Sequence, residues 1–239
     1  MMQDKISFLK DLIQESNNIV FFGGAGVSTE SGIPDFRSTD GLYYSKYDIP
    51  PEMILSHRFF ISHTKEFYDF YHDKMIYTEV IPNITHLKLQ ELEHINKLRG
   101  IVTQNIDGLH QMAGSKKVLE LHGSIHRNYC MTCGKSYGLD YVSSAECIPL
   151  CSCGGIIKPD VVLYEEALNQ EVMEEAIMLI READMLIVGG TSLSVYPAAG
   201  LLHYYKGDKL ILINRTITSF DEQANLRINV SLGEVFSQL

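Results

Sequence analysis

Five cysteines lie close together in the sequence and suggest a metal site. Cys130 and Cys133 have the C-x-x-C spacing of structural zinc sites, whereas Cys151 and Cys153 are separated by one residue. Four thiolates suit tetrahedral Zn²⁺ with no open coordination position. Cys147 is a rival for Cys153, but with Cys153 each pair ends in Cys-Gly, and glycine lets backbone N–H groups turn toward sulfur. The sequence therefore favours a structural zinc site on Cys130, Cys133, Cys151 and Cys153. Redox-active cysteines are the alternative.

Polar side chains that could bind a ligand follow two apolar segments. Gln104, Asn105 and Asp107 come directly after residues 101–103, and ligands of open α/β sheets bind beyond the carboxyl ends of strands. Their amide and carboxylate groups suit ribose hydroxyls and a carboxamide. The alternative is a capping turn, for which Asp107 followed by glycine is suitable. His122 ends another apolar segment and could accept a proton near neutral pH; the alternative is a polar surface or hydrogen-bonded core histidine.

A glycine-rich loop follows the apolar residues 19–22. Glycines at 23, 24 and 26 could bring backbone N–H groups close to the oxygens of a phosphate. Their spacing does not fit the G-x-G-x-x-G pattern of dehydrogenases, so a tight strand-to-helix turn is the alternative. Residues 34–37 add proline, aspartate, phenylalanine and arginine to a segment rich in Ser, Thr and Gly. Loops of this composition usually bind a ligand.

Amphipathic helices alternate with apolar strands along the rest of the chain. Helical periodicity is found at residues 5–16, 57–76, 86–98 and 172–181. Continuous apolar runs, typical of parallel strands buried on both faces, are found at 185–188 and 210–213, and a short apolar run is found at 19–22. Residues 101–103 and 118–121 are predicted as further buried strands. This alternation predicts an α/β fold, with a Rossmann-like parallel sheet domain and a smaller zinc-binding plus helical domain.

The predicted domain boundaries follow changes in composition. Residues 1–40, 82–125 and 156–239 would form the Rossmann-like, ligand-binding domain, while the aromatic-rich helical insertion 41–81 and the cysteine module 126–155 would form the small domain. The chain of 239 residues, 45% of them hydrophobic, can bury a real core. No apolar run has membrane-spanning length, and the first residues lack the apolar core of a signal peptide, so we expect a cytoplasmic protein. A net charge of −10 argues against direct nucleic-acid binding.

Several of these segments resemble the signatures of the sirtuins, the NAD-dependent protein lysine deacylases. The motifs are G-A-G-V-S-T-E-S-G-I-P-D-F-R at 24–37, T-Q-N-I-D-G-L-H at 103–110, L-H-G at 121–123, the two cysteine pairs, K-P-D-V-V-L-Y-E-E at 158–166, G-G-T-S-L-S-V-Y-P at 189–197 and I-N-R at 213–215. The resemblance runs from residue 18 to about residue 230. The sequence departs from the family at Tyr164-Glu165-Glu166, where sirtuins typically have Phe-Gly-Glu.

The resemblance implies a role for each matching residue. Catalytic residues would be His122 as general base, with Asn105 and Asp107 at the nicotinamide ribose and carboxamide. Phe36 and Ile106 would form the walls of the nicotinamide pocket. NAD-binding residues would be Gly24, Ala25, Gly26, Thr29, Asp35, Phe36, Arg37, Gln104, Asn105, Ile106, Asp107, His122, Gly190, Thr191, Ser192, Asn214 and Arg215. Peptide-binding residues would be Val161, Val162, Leu163, Tyr164, Ser194, Val195 and Tyr196.

The implied activity is that of a bacterial-type NAD-dependent protein lysine deacetylase. In the family the acyl oxygen attacks the ribose C1′ as nicotinamide leaves, and the general base, here His122, then activates a ribose hydroxyl. The products would be nicotinamide, deacetylated lysine and O-acetyl-ADP-ribose. NAD is thus a co-substrate, and zinc is structural. Partners would be acetyl-lysine proteins or peptides, with no direct nucleic-acid or membrane contact, and a monomer is compatible with the sequence. Alternatives are mono-ADP-ribosyl transfer, a non-catalytic NAD sensor, and a deacylase that prefers longer apolar acyl groups.

One helix bears on which acyl group is removed. Sirtuins that prefer succinyl-lysine share a Tyr-x-x-Arg pair at the acyl pocket, whose arginine holds the acyl carboxylate. Here Tyr68 fits the tyrosine, but Tyr71 occupies the arginine position. Helical geometry would turn His72 and Lys74 away from that position. The sequence therefore predicts removal of acetyl rather than succinyl groups. The alternative is that both tyrosines only pack the core.

Overall fold

A parallel six-stranded sheet is the centre of the molecule. The computed structural model describes residues 2–35 and 48–239, so Phe36 and Arg37 lie outside the described residues. The strands of this sheet are β1 (Ile19–Gly23), β2 (Leu98–Thr103), β3 (Val118–Glu120), β7 (Met185–Gly189), β8 (Leu210–Ile213) and β9 (Leu226–Ile228). Their order is β3-β2-β1-β7-β8-β9, which is the Rossmann order with its reversal at β1.

The register of the sheet brings four loops to one edge. Gly23 at the end of β1 pairs with Thr103 at the end of β2 and with Gly189 at the end of β7. Gly189 in turn pairs with Ile213 at the end of β8. All residues of β1, β7 and β8 are buried, as expected for strands covered on both faces. The loops after β1, β2, β7 and β8 therefore emerge side by side.

Helices cover both faces of this sheet. The α-helices of the described residues, including those of the small domain, are α1 (Met2–Glu15), α2 (Pro51–Ile54), α3 (His57–Ser62), α4 (Thr64–Lys74), α5 (Ile84–His94), α6 (Leu109–Met112), α7 (Leu139–Ser143), α8 (Gln170–Glu182) and α9 (Leu232–Phe236). One core joins the sheet to α1, α5 and α9, and a second joins it to α8 and a 3₁₀ helix, Ala198–Tyr204. Within residues 2–35 and 48–239, no helix is both long and apolar enough to cross a membrane.

The small domain has a separate core. Its antiparallel sheet, in the order β5-β4-β6, consists of β4 (Gly123–Cys130), β5 (Ser136–Tyr137) and β6 (Ile157–Val161). The aromatic side chains of α3 and α4 pack against this sheet in one cluster with two of the cysteines. An α/β fold with a Rossmann-like sheet and a smaller cysteine-containing domain is therefore confirmed.

Two details of the helical insertion differ from the sequence predictions. The single helix predicted over 57–76 is two helices, because the chain turns at His63 between α3 and α4. Tyr68 and Tyr71 are both buried in the small-domain core, and the Tyr68 hydroxyl donates to the Ile157 carbonyl. Of the two interpretations of these tyrosines, core packing is the one that the structure fits.

Gly100 lies inside β2 rather than ending a helix. A Cβ atom at this position would come within 2.8 Å of Leu179 and 2.9 Å of Lys117, so the glycine is required by close packing of the strand against its neighbours. The preceding helix, α5, already ends at His94, and Asn96 takes a left-handed conformation with φ of 58°. The helix predicted over 86–98 therefore ends four residues earlier than expected, at His94.

Candidate functional site

A cavity of about 520 Å³ lies at the carboxyl edge of the parallel sheet. Loops after β1, β2, β7 and β8 form one side, and residues 161–166 with parts of the insertion form the other. The predicted residues that line it are Gly24, Ala25, Gly26, Thr29, Asp35, Gln104, Asn105, Ile106, Asp107, His122, Val161, Val162, Leu163, Tyr164, Gly190, Thr191, Ser192, Val195, Tyr196, Asn214 and Arg215. Ser194, although described, is not among the lining residues, and its hydroxyl lies 2.8 Å from that of Ser192. Phe36 and Arg37 lie outside the described residues.

The glycine-rich loop is held against the loop that follows β7. The N–H groups of Gly24 and Gly26 donate to the carbonyls of Gly189 and Gly190, at 3.3 and 2.8 Å. A Cβ atom at position 26 would lie 2.8 Å from the Cα atom of Gly190. The glycines at 24 and 26 therefore serve close packing of two backbones, and these two amides are not the phosphate donors that the sequence suggested.

Three side chains connect the ends of β2, β7 and β8. The Gln104 amide donates to the Thr191 hydroxyl at 3.0 Å, and the Thr191 N–H donates to Asn214 Oδ1 at 3.0 Å. The Asn214 Nδ2 atom is buried and has no hydrogen-bond partner among the described residues, yet Asn214 lines the cavity. A buried donor without a partner is costly, so this atom fits a ligand that brings a hydroxyl acceptor. The donor set is compatible with the ribose of NAD.

A second network positions the carboxylate and amide of the β2 loop. The Ser28 hydroxyl donates to Asp107 at 2.6 Å and accepts from the Asn105 amide at 3.0 Å. Asp107 also accepts from the N–H of Leu109 at 2.9 Å. Burial raises the pKa of Asp107, and the hydrogen bond from Ser28 opposes that rise. Ser28 was missed by the sequence analysis, although it lies within the first motif.

His122 is placed as a neutral base would be. Its Nδ1 atom lies 3.0 Å from the backbone carbonyl of Gln104. A carbonyl can only accept, so Nδ1 carries a proton, and in the neutral ring Nε2 keeps its lone pair. Burial lowers the pKa of His122, partly opposed by the bond to Gln104, and this favours the neutral form. His122 lines the cavity together with Asn105 and Asp107.

The predicted peptide-binding segment begins beside His122. The N–H of Val162 donates to the His122 carbonyl at 3.0 Å, immediately after β6 ends at Val161. Lys158 donates to the Val161 carbonyl at 3.0 Å. Tyr164 lines the cavity and is 40% exposed. The base and the segment are therefore fixed relative to each other through the backbone.

Several lining residues were not predicted as site residues. From the insertion these are Leu55, Lys74, Met75 and Tyr77, and from the rest of the chain they are Ser28, Ile33, Pro34, Glu165, Glu166, Leu168, Pro197, Ile213, Thr216, Val230, Ser231 and Leu232. Tyr68 and Tyr71 are not among the described lining residues. From this part of the insertion, Lys74 at the end of α4 and Met75 and Tyr77 beyond it line the cavity. No periodic pattern marks these residues, because they follow a helix end rather than a helix face.

The four predicted cysteines come together in the small domain. All four Sγ atoms lie within 4.8 Å of one another, and the Cys130–Cys153 and Cys133–Cys151 pairs are both 3.5 Å apart. Tetrahedral Zn²⁺ with Zn–S bonds of about 2.3 Å needs sulfur atoms about 3.8 Å apart, so the cluster fits zinc. The Tyr137 hydroxyl donates to Cys151 Sγ at 3.0 Å, as an outer-shell partner would. The thiol of Cys147 is exposed and outside the cluster.

Comparison with known proteins agrees with this geometry. Residues 24–197 match the Sir2 family. The chain is 59% identical to an NAD-dependent protein deacetylase of Clostridium acetobutylicum, over 98% of each chain. It is 58% identical to one of Clostridium tetani, over 95% of this chain and 94% of that protein.

Among solved structures, Sir2 with p53 peptide and NAD⁺ has a TM-score of 0.86 at 39% identity, covering 98% of this chain and 96% of that chain. Sir2 bound to acetylated peptide has a TM-score of 0.87 at 38% identity with the same coverage. The matches in sequence and in structure span nearly the whole length of each partner, and the motif resemblance is confirmed. The chain belongs to the Sir2 family.

Proposed function

We propose that this protein is an NAD-dependent protein lysine deacetylase that produces nicotinamide, deacetylated lysine and O-acetyl-ADP-ribose. The observation that carries the proposal is the placement of His122, with Nδ1 3.0 Å from the Gln104 carbonyl, in the same cavity as Asn105 and Asp107. The relatives named NAD-dependent protein deacetylase, and the Sir2 structures with NAD⁺ and acetylated peptide, support it. NAD would supply an activated ribose for acyl transfer rather than a hydride.

Each group of the cavity then has a task. His122 Nε2 would accept a proton from a sugar hydroxyl, since Nδ1 is already committed to a carbonyl. Asn105 and Asp107, fixed by Ser28, would orient the nicotinamide end of NAD, and Asn214 would meet the other ribose. The backbone of residues 161–164 would bind an extended peptide by strand addition. Zn²⁺ on the four cysteines would stabilise the small domain without touching the substrates.

We also propose the domain division and location that the sequence suggested. Residues 1–40, 82–125 and 156–239 would act as the NAD-binding domain, with 41–81 and 126–155 as the small domain. The third hydrophobic core packs the insertion against the cysteine module, which supports grouping 41–81 with 126–155, while its members Ile125, Ile157, Val161 and Leu163 come from the segments assigned to the NAD-binding domain. A cytoplasmic location would suit a protein whose cysteines bind zinc as thiolates rather than forming disulfides.

The test is mass spectrometry of a panel of acyl-lysine peptides incubated with and without NAD. We expect NAD-dependent loss of acetyl, with nicotinamide and O-acetyl-ADP-ribose formed in equal amounts to the deacetylated peptide. Nicotinamide release with the peptide still acetylated and a protein carrying ADP-ribose would indicate a mono-ADP-ribosyltransferase instead. NAD binding with neither product would indicate a sensor.

A further inference from the structure

Glu165 has an unusual backbone conformation beside the cavity. Its φ angle is 75°, in the left-handed region that L side chains rarely adopt. It follows directly on residues 161–164, the proposed peptide-binding segment, and lines the cavity. Non-glycine residues keep such a conformation only where their surroundings hold them in it. The contacts of Glu165 therefore need an explanation.

The carboxylate of Glu165 reaches the first turn of α3 in the insertion. One oxygen accepts from the backbone N–H of Arg58 at 3.1 Å, and the other pairs with the Arg58 guanidinium at 3.2 Å. The adjacent N–H of His57 donates to the Tyr164 carbonyl at 2.9 Å. Two of the N–H groups that a helix start leaves without an intrahelical partner are thus satisfied by residues 164 and 165.

The amide contact matters more than the ion pair. The Arg58 side chain is 85% exposed and that of Glu165 is 42% exposed, and ion pairs between such groups add little. A carboxylate bound to a backbone N–H at a helix start acts as a cap, which is a stronger and more directional interaction. Its neighbour Glu166 accepts from Lys158 and from the N–H of Leu163 within the turn, and its other oxygen lies 2.8 Å from Nδ1 of His57, the first residue of α3.

The proposed peptide-binding segment is attached to the rest of the molecule on two sides, and the contacts of Glu165 belong to the second. On the first side, the Val162 N–H is bound to the His122 carbonyl. On the second, Tyr164 donates to the Leu55 carbonyl at 2.9 Å, and Ser56 and Tyr164 form a parallel bridge. Glu165 extends this second attachment onto α3. The segment is therefore attached to the candidate base at one end and to the insertion at the other.

We propose that Glu165 is a positioning residue for the acyl-lysine peptide, and that its carboxylate preorganises residues 161–164 for strand addition by capping α3. The inference rests on the proposed function. A peptide that adds a strand to a rigid segment loses less free energy to ordering than one that binds a mobile segment. Loss of the cap should therefore weaken peptide binding while leaving NAD binding and the chemical step nearly unchanged.

The experiment compares three variants of the full chain. Glu165→Gly removes the carboxylate and relieves the left-handed conformation, Glu165→Gln keeps an oxygen for the Arg58 N–H, and Arg58→Met removes only the guanidinium. For Glu165→Gly we expect the Kd and KM of an acetyl-lysine peptide to rise about tenfold, which corresponds to about 1.4 kcal/mol. The Kd of NAD and kcat should stay within about twofold of wild type. Glu165→Gln and Arg58→Met should keep peptide Kd within about threefold.

Peptide Kd is measured by direct titration of a labelled acetyl-lysine peptide, with thermal unfolding as a check that each variant is folded. A wild-type peptide Kd in Glu165→Gly overturns the proposal. A parallel rise in the Kd of NAD, or a loss in Arg58→Met equal to that in Glu165→Gly, also overturns it. Because the titration needs no turnover, it tests Glu165 even if wild type removes no acetyl group. That lack of activity would instead count against the proposed function.

Discussion

Two buried histidines should make the fold sensitive to acid. His86 at the start of α5 and His110 in α6 have ring centroids 4.8 Å apart. His86 Nδ1 accepts from the N–H of Asn83, but His86 Nε2 and both nitrogens of His110 have no partner among the described residues. Burial lowers the pKa of His86 to about 4, and burial together with the nearby His86 lowers that of His110 to about 3. Both rings are therefore neutral in the folded protein at pH values where they are charged in the unfolded chain.

The sign and the size of this pH dependence follow from the linkage between proton binding and folding. Below the unfolded pKa of about 6.5, the unfolded chain binds two protons that the folded protein excludes, so the free energy of unfolding falls as pH falls. Each histidine contributes about 1.4 kcal/mol per pH unit until the pH reaches its folded pKa. Between about pH 6.5 and about pH 5 the pair should therefore cost about 3 kcal/mol, because each unfolded histidine is only half protonated at about pH 6.5, and this is a large part of the stability of a typical domain.

The assay is urea unfolding of wild type, His110→Gln and His94→Gln across this pH range. His110→Gln removes one titrating group. Between about pH 6.5 and about pH 5, the free energy of unfolding of this variant should therefore fall by about 2 kcal/mol less than that of wild type. His94 is exposed at the end of α5, so His94→Gln should follow wild type. Comparing changes with pH rather than absolute stabilities cancels any packing cost of the substitution. Equal changes in wild type and His110→Gln would refute the reasoning.

Three further predictions concern the site and its metal. His122→Ala should keep the Kd of NAD, measured by calorimetry, within about twofold while lowering turnover about 10²-fold, and near-normal turnover of the folded variant would remove the base assignment. Cys147→Ser should keep one zinc per chain by elemental analysis and Cys153→Ser should lose it, because only Cys153 belongs to the cluster; the opposite pattern would exchange their roles. For one peptide carrying acetyl- or succinyl-lysine, kcat/KM should be higher for acetyl, because Tyr71 stands at the position where succinyl-preferring sirtuins have the arginine that holds the acyl carboxylate. A succinyl value equal or higher would contradict this.

Much of the sheet could be predicted because its strands leave a local pattern. The apolar runs that became β1, β7 and β8 are buried on both faces, and polar residues that follow such runs must emerge at one edge. That argument alone places Gln104, Asn105 and Thr191 near one another. It needs no knowledge of distant contacts beyond the parallel order of the strands.

Features that depend on distant partners could not be predicted in the same way. Whether the N–H of Gly26 is free for phosphate depends on Gly190, more than 160 positions away. From the sequence, the aromatic face of α4 could either line a pocket or pack in the core. Only its packing against β6 assigns Tyr68 to the core. Glu165, whose φ is 75°, likewise contacts Arg58, which lies on an element far away in sequence. Composition and periodicity do not show which residues that are far apart in sequence contact each other.

The zinc module lies apart from His122 in sequence, yet one strand joins them. β4 begins at Gly123, directly after His122, and ends at the zinc ligand Cys130. Gly123 and Cys130 pair with Val161 and Ile157 of β6, which are four residue steps of about 3.4 Å apart, so the two ends lie about 14 Å from each other. β6 pairs with this strand from Cys130 back to Gly123 and then continues into the peptide-binding segment. The metal would therefore hold one end of a two-stranded support whose other end carries the base and the segment for the peptide. Removal of zinc should act on the chemistry through that support, since the cluster itself contacts neither group.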